Sequence, residues 1–258
     1  MARGDGAAYR KKKRFRMMYI TLSAILVLAA LTAGCVFFFQ VNEVEVSGSM
    51  RYSEEQLLAV AAIPENANVL LFPGEEVERR LMETFPYIDS VAVERGYPST
   101  IRIVVVESEP VAAIQMETAY WLLDTEGKVL EKIEEDFASA YIEVIGISLI
   151  EPESGKPAQA EDGSAALLKG LCSLLYSLQY KEVIDRAMWV DLSLQEEVQM
   201  GFDGRFTVRL PISSDSANKE YGYNRKIDTL LEIIGQLDEY DKGIIDLRYV
   251  KMGYFRAR

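Results

Sequence analysis

The chain has 258 residues, with 28 Lys+Arg against 40 Asp+Glu and a formal net charge of −12. It has no histidine and only two cysteines, Cys35 and Cys172. That excludes His-based acid–base chemistry, Ser-His-Asp and Cys-His nucleophiles, His-ligated zinc and a disulfide framework. The charge is unevenly spread. Residues 1–16 carry seven Lys/Arg against one acid, Asp5, and the remainder of the chain carries −18. A body that acidic is a poor partner for nucleic acid, whose phosphates need a positive surface.

Residues 17–39 (MMYITLSAILVLAALTAGCVFFF) hold no charge. As a helix this run spans roughly 35 Å, enough to cross a hydrocarbon core of about 30 Å. The basic tail, residues 1–16, lies directly before it, and Glu43 and Glu45 follow it. The positive-inside rule then places the N-terminus in the cytoplasm and the rest of the chain outside. A cleaved signal peptide normally has a shorter apolar core of about 7–15 residues. Leu31 to Cys35 has the outline of a lipobox, but Thr32 stands where Leu is usual and Val36 to Phe39 stay apolar. These features favour an uncleaved single-pass anchor. With Cys35 in the bilayer, Cys172 is expected as an unpaired thiol on a buried helix face.

Residues 41–109 read as one domain of β-α-α-β-β order. Val44 and Val46 alternate with acids, as in a half-buried strand. Ser53 precedes Gln56 by three, a capping-box spacing, and Leu57, Leu58, Val60 and Ala61 line a short helix that Pro64 stops. Val77, Leu81 and Phe85 give a second amphipathic helix, ended by Pro86. Val91 and Val93 open a strand, Gly96 to Ser99 turn the chain, and Ile101 to Val106 is a β-branched return.

Residues 110–250 form a second domain, followed by a short tail, 251–258. Strands around 120–123 and 128–130 flank a hairpin turn at Thr125-Glu126-Gly127. Residues 151–163 read as an exposed loop. Ala165 to Tyr180 is a Leu-rich helix, strands follow at 188–194, 197–202 and 205–210, and a helix spans 223–237. The last strand, Ile244 to Val250, has nothing after it to cover its edge. The fold class is α+β: one transmembrane helix, a small β-α-α-β-β domain and a mixed β-sheet domain with flanking helices.

These segments together resemble the FtsQ/DivIB family of bacterial cell-division proteins over nearly the full chain. The resemblance rests on the basic tail and single span, and on Val41 to Leu57 as the opening of a POTRA domain of FtsQ type. It continues through Phe85-Pro86-Tyr87-Ile88 with Val91, Val93 and Arg95, and Tyr97 to Ile101 leading into Val104 to Glu107. Glu109-Pro110-Val111-Ala112, the hairpin Leu123 to Val129 and Ile245-Asp246-Leu247-Arg248-Tyr249 complete it. Two positions depart from the family pattern: Ser49 stands where Asn is usual, and Ser108 near a common Arg.

The resemblance implies a non-enzymatic role in the divisome with no cofactor or metal, and septal localisation. It implies binding of FtsL and FtsB/DivIC-type coiled-coil partners outside the membrane, and regulation of septal peptidoglycan synthesis. An exposed strand edge supplies a physical route, since it pairs with an incoming strand through main-chain hydrogen bonds. Ile245, Leu247, Arg248 and Tyr249 are the expected partner-binding positions: Arg248 for a partner carboxylate and Tyr249 as an amphipathic anchor.

Two other readings compete with this one. A POTRA-bearing surface adaptor outside division shares every feature except the C-terminal Asp-Leu-Arg-Tyr strand. Ser47-Gly48-Ser49-Met50 resembles the nucleophile motif of signal peptidase I, a Ser-Lys enzyme. The first Lys after Ser49 is Lys128, outside the context that family requires, and a serine without a base is a poor nucleophile.

Overall fold

The computed structural model describes residues 5–117, 119–161, 163–194, 197–212, 222–249 and 254–257, without side chains for 5–15, 254 and 257. The basic side chains of residues 10–14 and Val250 therefore lie outside the described set. The chain divides into two compact units: Met1–Leu81 with Ser90–Val106, and Met82–Asp89 with Glu107–Arg258.

The first unit opens with helix α1 (Asp5–Phe38). Within it, Arg16–Phe38 is long and apolar enough to cross a membrane, and its side chains are exposed. Strand β1 (Glu43–Ser47) follows, then helix α2 (Glu54–Ala61) and helix α3 (Gly74–Thr84). Strands β2 (Ile88–Gly96) and β3 (Thr100–Glu107) complete a three-stranded sheet of order β1-β3-β2. β1 runs parallel to β3, with Glu43 opposite Thr100 and Ser47 opposite Val104.

The capping box at α2 is formed in full. Ser53 Oγ accepts from Gln56 N, and the Gln56 side chain accepts from Ser53 N. That satisfies two backbone groups that a helix start would otherwise leave open. α2 ends at Ala61 through a left-handed Ala62, ahead of Pro64. Leu57, Ala61, Val77, Leu81, Ile101 and Ile103 are buried, the apolar sides of two helices and a β-branched strand. The Tyr97–Pro98 peptide bond in the β2–β3 turn is cis.

The second unit holds residues 82–89, which the sequence pattern groups with the first domain. Tyr87 Oη donates to Glu131 Oε1 at 2.6 Å, and Lys128 Nζ donates to the Ile88 carbonyl. Its strands are β4 (Ala112–Met116), β5 (Ala119–Leu123), β6 (Val129–Ile133), β7 (Ile142–Ile145), β8 (Ala187–Asp191), β9 (Glu197–Phe202), β10 (Phe206–Pro211), β11 (Gly243–Asp246) and β12 (Tyr254–Ala257). They form one nine-stranded mixed sheet of order β12-β11-β10-β9-β8-β7-β4-β5-β6.

Three neighbouring pairs are parallel: β4·β7, β7·β8 and β10·β11. Parallel neighbours need long crossovers. α5 (Ala165–Tyr180) crosses from β7 to β8 and α6 (Asn224–Ile234) from β10 to β11. Both helices contribute to one core: Leu171, Leu174 and Leu178 of α5 and Ile227 and Leu230 of α6 join Val144, Val190, Met200, Val208 and Ile245 of the sheet. A short helix α4 (Glu135–Ala138) precedes β7. Cys172 is partly buried on α5 against this core.

Two expectations are corrected. The last strand ends at Asp246 rather than 250, and residues 254–257 are a further strand rather than a tail. β12 pairs antiparallel with β11, Gly243 opposite Ala257 and Asp246 opposite Tyr254. β11 is therefore an interior strand, and the open edge belongs to β12.

Gly48 is the tightest backbone approach in the first unit. Its φ is +91°, and a Cβ there would sit 2.0 Å from the Val105 carbonyl oxygen. Gly48→Ala is expected to weaken the β1–β3 pairing by at least ~2 kcal/mol, since both the left-handed backbone and the clash oppose a side chain. Amide hydrogen exchange at residues 101–105 reads the loss; protection equal to wild type contradicts it.

Candidate functional site at the C-terminal sheet edge

β12, β11 and β10 close one side of the large sheet, and the candidate site is built on them. Side chains alternate across a strand, so the residues not facing α5 and α6 share the opposite surface. Glu197 and Gln199 of β9, Arg209 of β10 and Asp246 of β11 fall there together. Arg209 stands opposite Gln199 on one neighbour and opposite Asp246 on the other.

Four charged groups lock together on this surface. Arg209 Nη2 donates to Glu197 Oε2 at 2.6 Å and its Nε to Glu197 Oε1 at 3.0 Å. Arg248 Nη1 donates to the same Glu197 Oε2 at 2.8 Å. Arg248 then grips Asp246 with Nε at 2.9 Å and Nη2 at 2.6 Å, a forked pair. The Asp246 carboxylate also accepts from the Arg248 backbone N–H at 3.1 Å, making a tight turn. Glu197 is only 4% exposed, and Gln199 Nε2 satisfies it further at 2.8 Å.

The backbone after β11 is held from the helix side as well. Lys226 Nζ of α6 donates to the carbonyls of Leu247 and Tyr249, the latter at 2.7 Å. This explains why the strand stops at Asp246: the next carbonyls are taken by a lysine rather than by a ladder partner. Leu247 N still reaches the Arg209 carbonyl at 2.8 Å. After residues 250–253, β12 returns, with the Phe255 ring edge-on to Phe206 at 6.3 Å.

The sequence-expected positions divide clearly. Ile245 and Leu247 are fully buried core residues, out of a partner's reach in this fold. Arg248 spends its guanidinium on Asp246 and Glu197 and stacks over the Tyr249 ring at 5.7 Å. Tyr249 is exposed at 61%, and Arg256 of β12 is exposed too. Sequence reasoning missed Glu197, Arg209, Lys226 and Arg256. Their only sequence signal was charge, at strand positions or, for Lys226, on helix α6, and strand order alone makes neighbours of residues 51 apart such as Arg248 and Glu197.

The electrostatics follow the geometry. Burial alone would raise the Glu197 carboxyl, but hydrogen bonds from Arg209 and Gln199 and the two guanidinium charges hold it below the usual value. The hydrogen bond from Arg248 comes first in keeping Asp246 low, with the Arg248 and Arg209 charges adding to it against burial. Burial lowers the Lys226 ammonium, partly opposed by Asp246. No group of three or more metal-ligating side chains occurs among the described residues. Ser49 Oγ, the would-be nucleophile, exchanges hydrogen bonds with the Tyr52 backbone at 3.1 and 3.2 Å and closes a turn.

Comparison with known proteins places this architecture. Residues 39–108 match the POTRA domain, FtsQ-type, family. The chain is 26% identical over 224 residues to the cell division protein FtsQ of Geotalea daltonii, covering 84% of this chain and 74% of that one. It is 23% identical over 243 residues to the cell division protein DivIB of Clostridium botulinum strain Hall, covering 93% and 91%. Over most of its length the chain is thus similar to cell-division proteins of the FtsQ and DivIB type. With FtsQ of Corynebacterium glutamicum the identity is 30% over 116 residues, 44% of this chain and about half, 52%, of that protein. The matched POTRA segment follows α1 and ends at β3, and the sheet with the four-charge cluster comes after it in the chain.

Two acids held low bind fewer protons folded than unfolded, so their stabilisation is complete above the ordinary carboxylate range, about pH 4, and is lost as pH falls through their lowered folded values. Urea midpoints of the second unit should therefore fall on acidification from about pH 5 to pH 3. Glu197→Gln should lower the midpoint at neutral pH and flatten that slope. A slope unchanged by Glu197→Gln contradicts the assignment.

Proposed function

We propose that this chain is a non-enzymatic divisome scaffold of the FtsQ/DivIB type. It is anchored by α1 with its basic tail in the cytoplasm, and it binds FtsL and FtsB/DivIC-type partners outside the membrane. In this reading it gathers at the division septum and helps place and regulate septal peptidoglycan synthesis. The observation that carries the reading is the edge of the large sheet. β12 is four residues long, pairs on one side with β11, and ends the sheet among the described residues. Its outer main chain is available for an added strand, the mode in which backbone hydrogen bonds supply affinity and alternate side chains supply selectivity.

Tyr249 and Arg256 are the side chains set to read the partner, while Ile245 and Leu247 anchor the strands from below. Arg248 works through the cluster, fixing the turn that leads into β12. This changes what a mutation at Arg248 measures. Arg248→Glu puts a third carboxylate against Asp246 and Glu197, so its effect on binding arrives through the sheet.

Tyr249→Ala is the cleaner test, because the ring is exposed and its loss leaves the core intact. Binding of a purified FtsB/DivIC-type ectodomain should weaken about tenfold, the scale of an aromatic hot spot, with an unchanged melting temperature. Unchanged affinity for Tyr249→Ala contradicts its role. A fluorescent fusion of the full chain should concentrate at midcell; a uniform membrane signal would instead favour an adaptor outside division.

A further inference from the structure

The exit of α1 is tied directly into the POTRA sheet and loops. Val69 N donates to the Phe39 carbonyl at 2.8 Å, and Val41 N donates to the Ala67 carbonyl at 2.9 Å. Asn68 Nδ2 donates to the Val36 carbonyl at 3.3 Å, on the last turn of the helix itself. Gln40 Nε2 donates to Asn66 Oδ1 at 3.1 Å. From the other side, Asn42 N donates to the Ser99 carbonyl at 2.8 Å, and the Tyr97 ring stands edge-on to Phe39 at 6.3 Å. Two loops, 62–73 and 97–99, therefore flank the point where the helix ends.

Glu65 is the one charge in these two loops, in a chain that is 26% charged. Both present apolar side chains outward. Asn68 Oδ1 accepts from Leu70 N and the Asn68 carbonyl accepts from Leu71 N, a tight turn that separates four consecutive apolar residues. Val69 and Phe72 plug the POTRA core, whereas Leu70 and Leu71 point out, Leu71 at 82% exposed. Tyr97 is 61% exposed, and Phe37 and Phe38 on the helix are bare. Such a patch in water is unfavourable unless something covers it. Apolar tips and aromatic rings grouped at the end of a membrane span are the composition of a bilayer interface.

We propose that Leu70, Leu71 and Tyr97 sit in the lipid interface of the leaflet from which α1 emerges, so that the POTRA domain is seated on the bilayer rather than hung from a tether. The occupant of the patch is lipid, because the patch continues the lipid-facing surface of α1 without a break in the chain's hydrogen bonding. The opposite end of the unit is of different character: Met50 lies beyond the far end of β1, next to Arg51, Glu54 and Glu55. The proposal rests on α1 spanning the membrane.

The test uses the full chain in phosphatidylcholine–phosphatidylglycerol vesicles, with Cys35 and Cys172 replaced by Ala. Single cysteines at Leu26, Met50 or Leu71 carry an environment-sensitive fluorophore, and lipids spin-labelled near the headgroup or deep in the chain act as quenchers. Quenching at Leu26 by the deep label establishes that α1 is inserted. The Leu71→Cys probe should then be quenched severalfold more strongly by the shallow label than the Met50→Cys probe, with a blue-shifted emission. A Leu71 probe as wet and as weakly quenched as Met50, with Leu26 quenched, overturns the proposal while leaving the anchor standing. That holds equally if a partner protein later covers Leu71.

Discussion

The C-terminal domain is governed by a single constraint: a nearly buried carboxylate, Glu197, placed where two arginines, one on β10 and one just past β11, can reach it. A buried carboxylate with no partner is costly, and two guanidinium groups offset that cost only while β9, β10 and the turn after β11 hold their register. Asp246 completes the arrangement by taking the other face of Arg248. The charges cancel within the cluster, so what they confer is geometry. They define where the chain leaves β11 and how it comes back as β12. The partner-binding reading depends on that edge being fixed in place, because strand addition needs a template whose main chain is already extended.

A second constraint acts at the opposite end of the chain. The last turn of α1 is hydrogen-bonded into the POTRA loops through Val36 and Phe39 carbonyls. A helix end normally leaves carbonyls without intrahelical partners, and here the protein itself supplies some of them. Helix α1 and the sheet of the first unit are thus joined by ordered backbone. The apolar loop tips beside that junction then find their natural cover in lipid.

Much of the fold is legible in the order of the amino acids. The Leu stripe of 165–180 marks α5 to its observed ends, and Ser53 with Gln56 announces the cap of α2. Both signals are local, the product of a 3.6-residue period and a three-residue spacing. β4 escapes notice because the uninterrupted apolar run Ala112-Ala113-Ile114 carries no alternation, and β7 because its alternation lasts only four residues. β12 escapes because four residues after a glycine look like a frayed end. The site is the least legible part. Arg248 is marked by its motif, but its partners lie on strands whose adjacency is a property of sheet order. Periodicity puts Ile245 and Leu247 on one side of the strand without telling which side is core, and burial moves them from contact to support.

Site-specific photo-cross-linking from Arg256 in growing cells tests the central claim most directly, since that side chain projects from the edge strand itself. A photoreactive residue there should yield a discrete adduct with a small single-pass coiled-coil division protein, while the same residue at Met50 should not. Adducts absent at Arg256 in dividing cells, or formed with that partner from Met50 alone, would contradict an edge-strand scaffold.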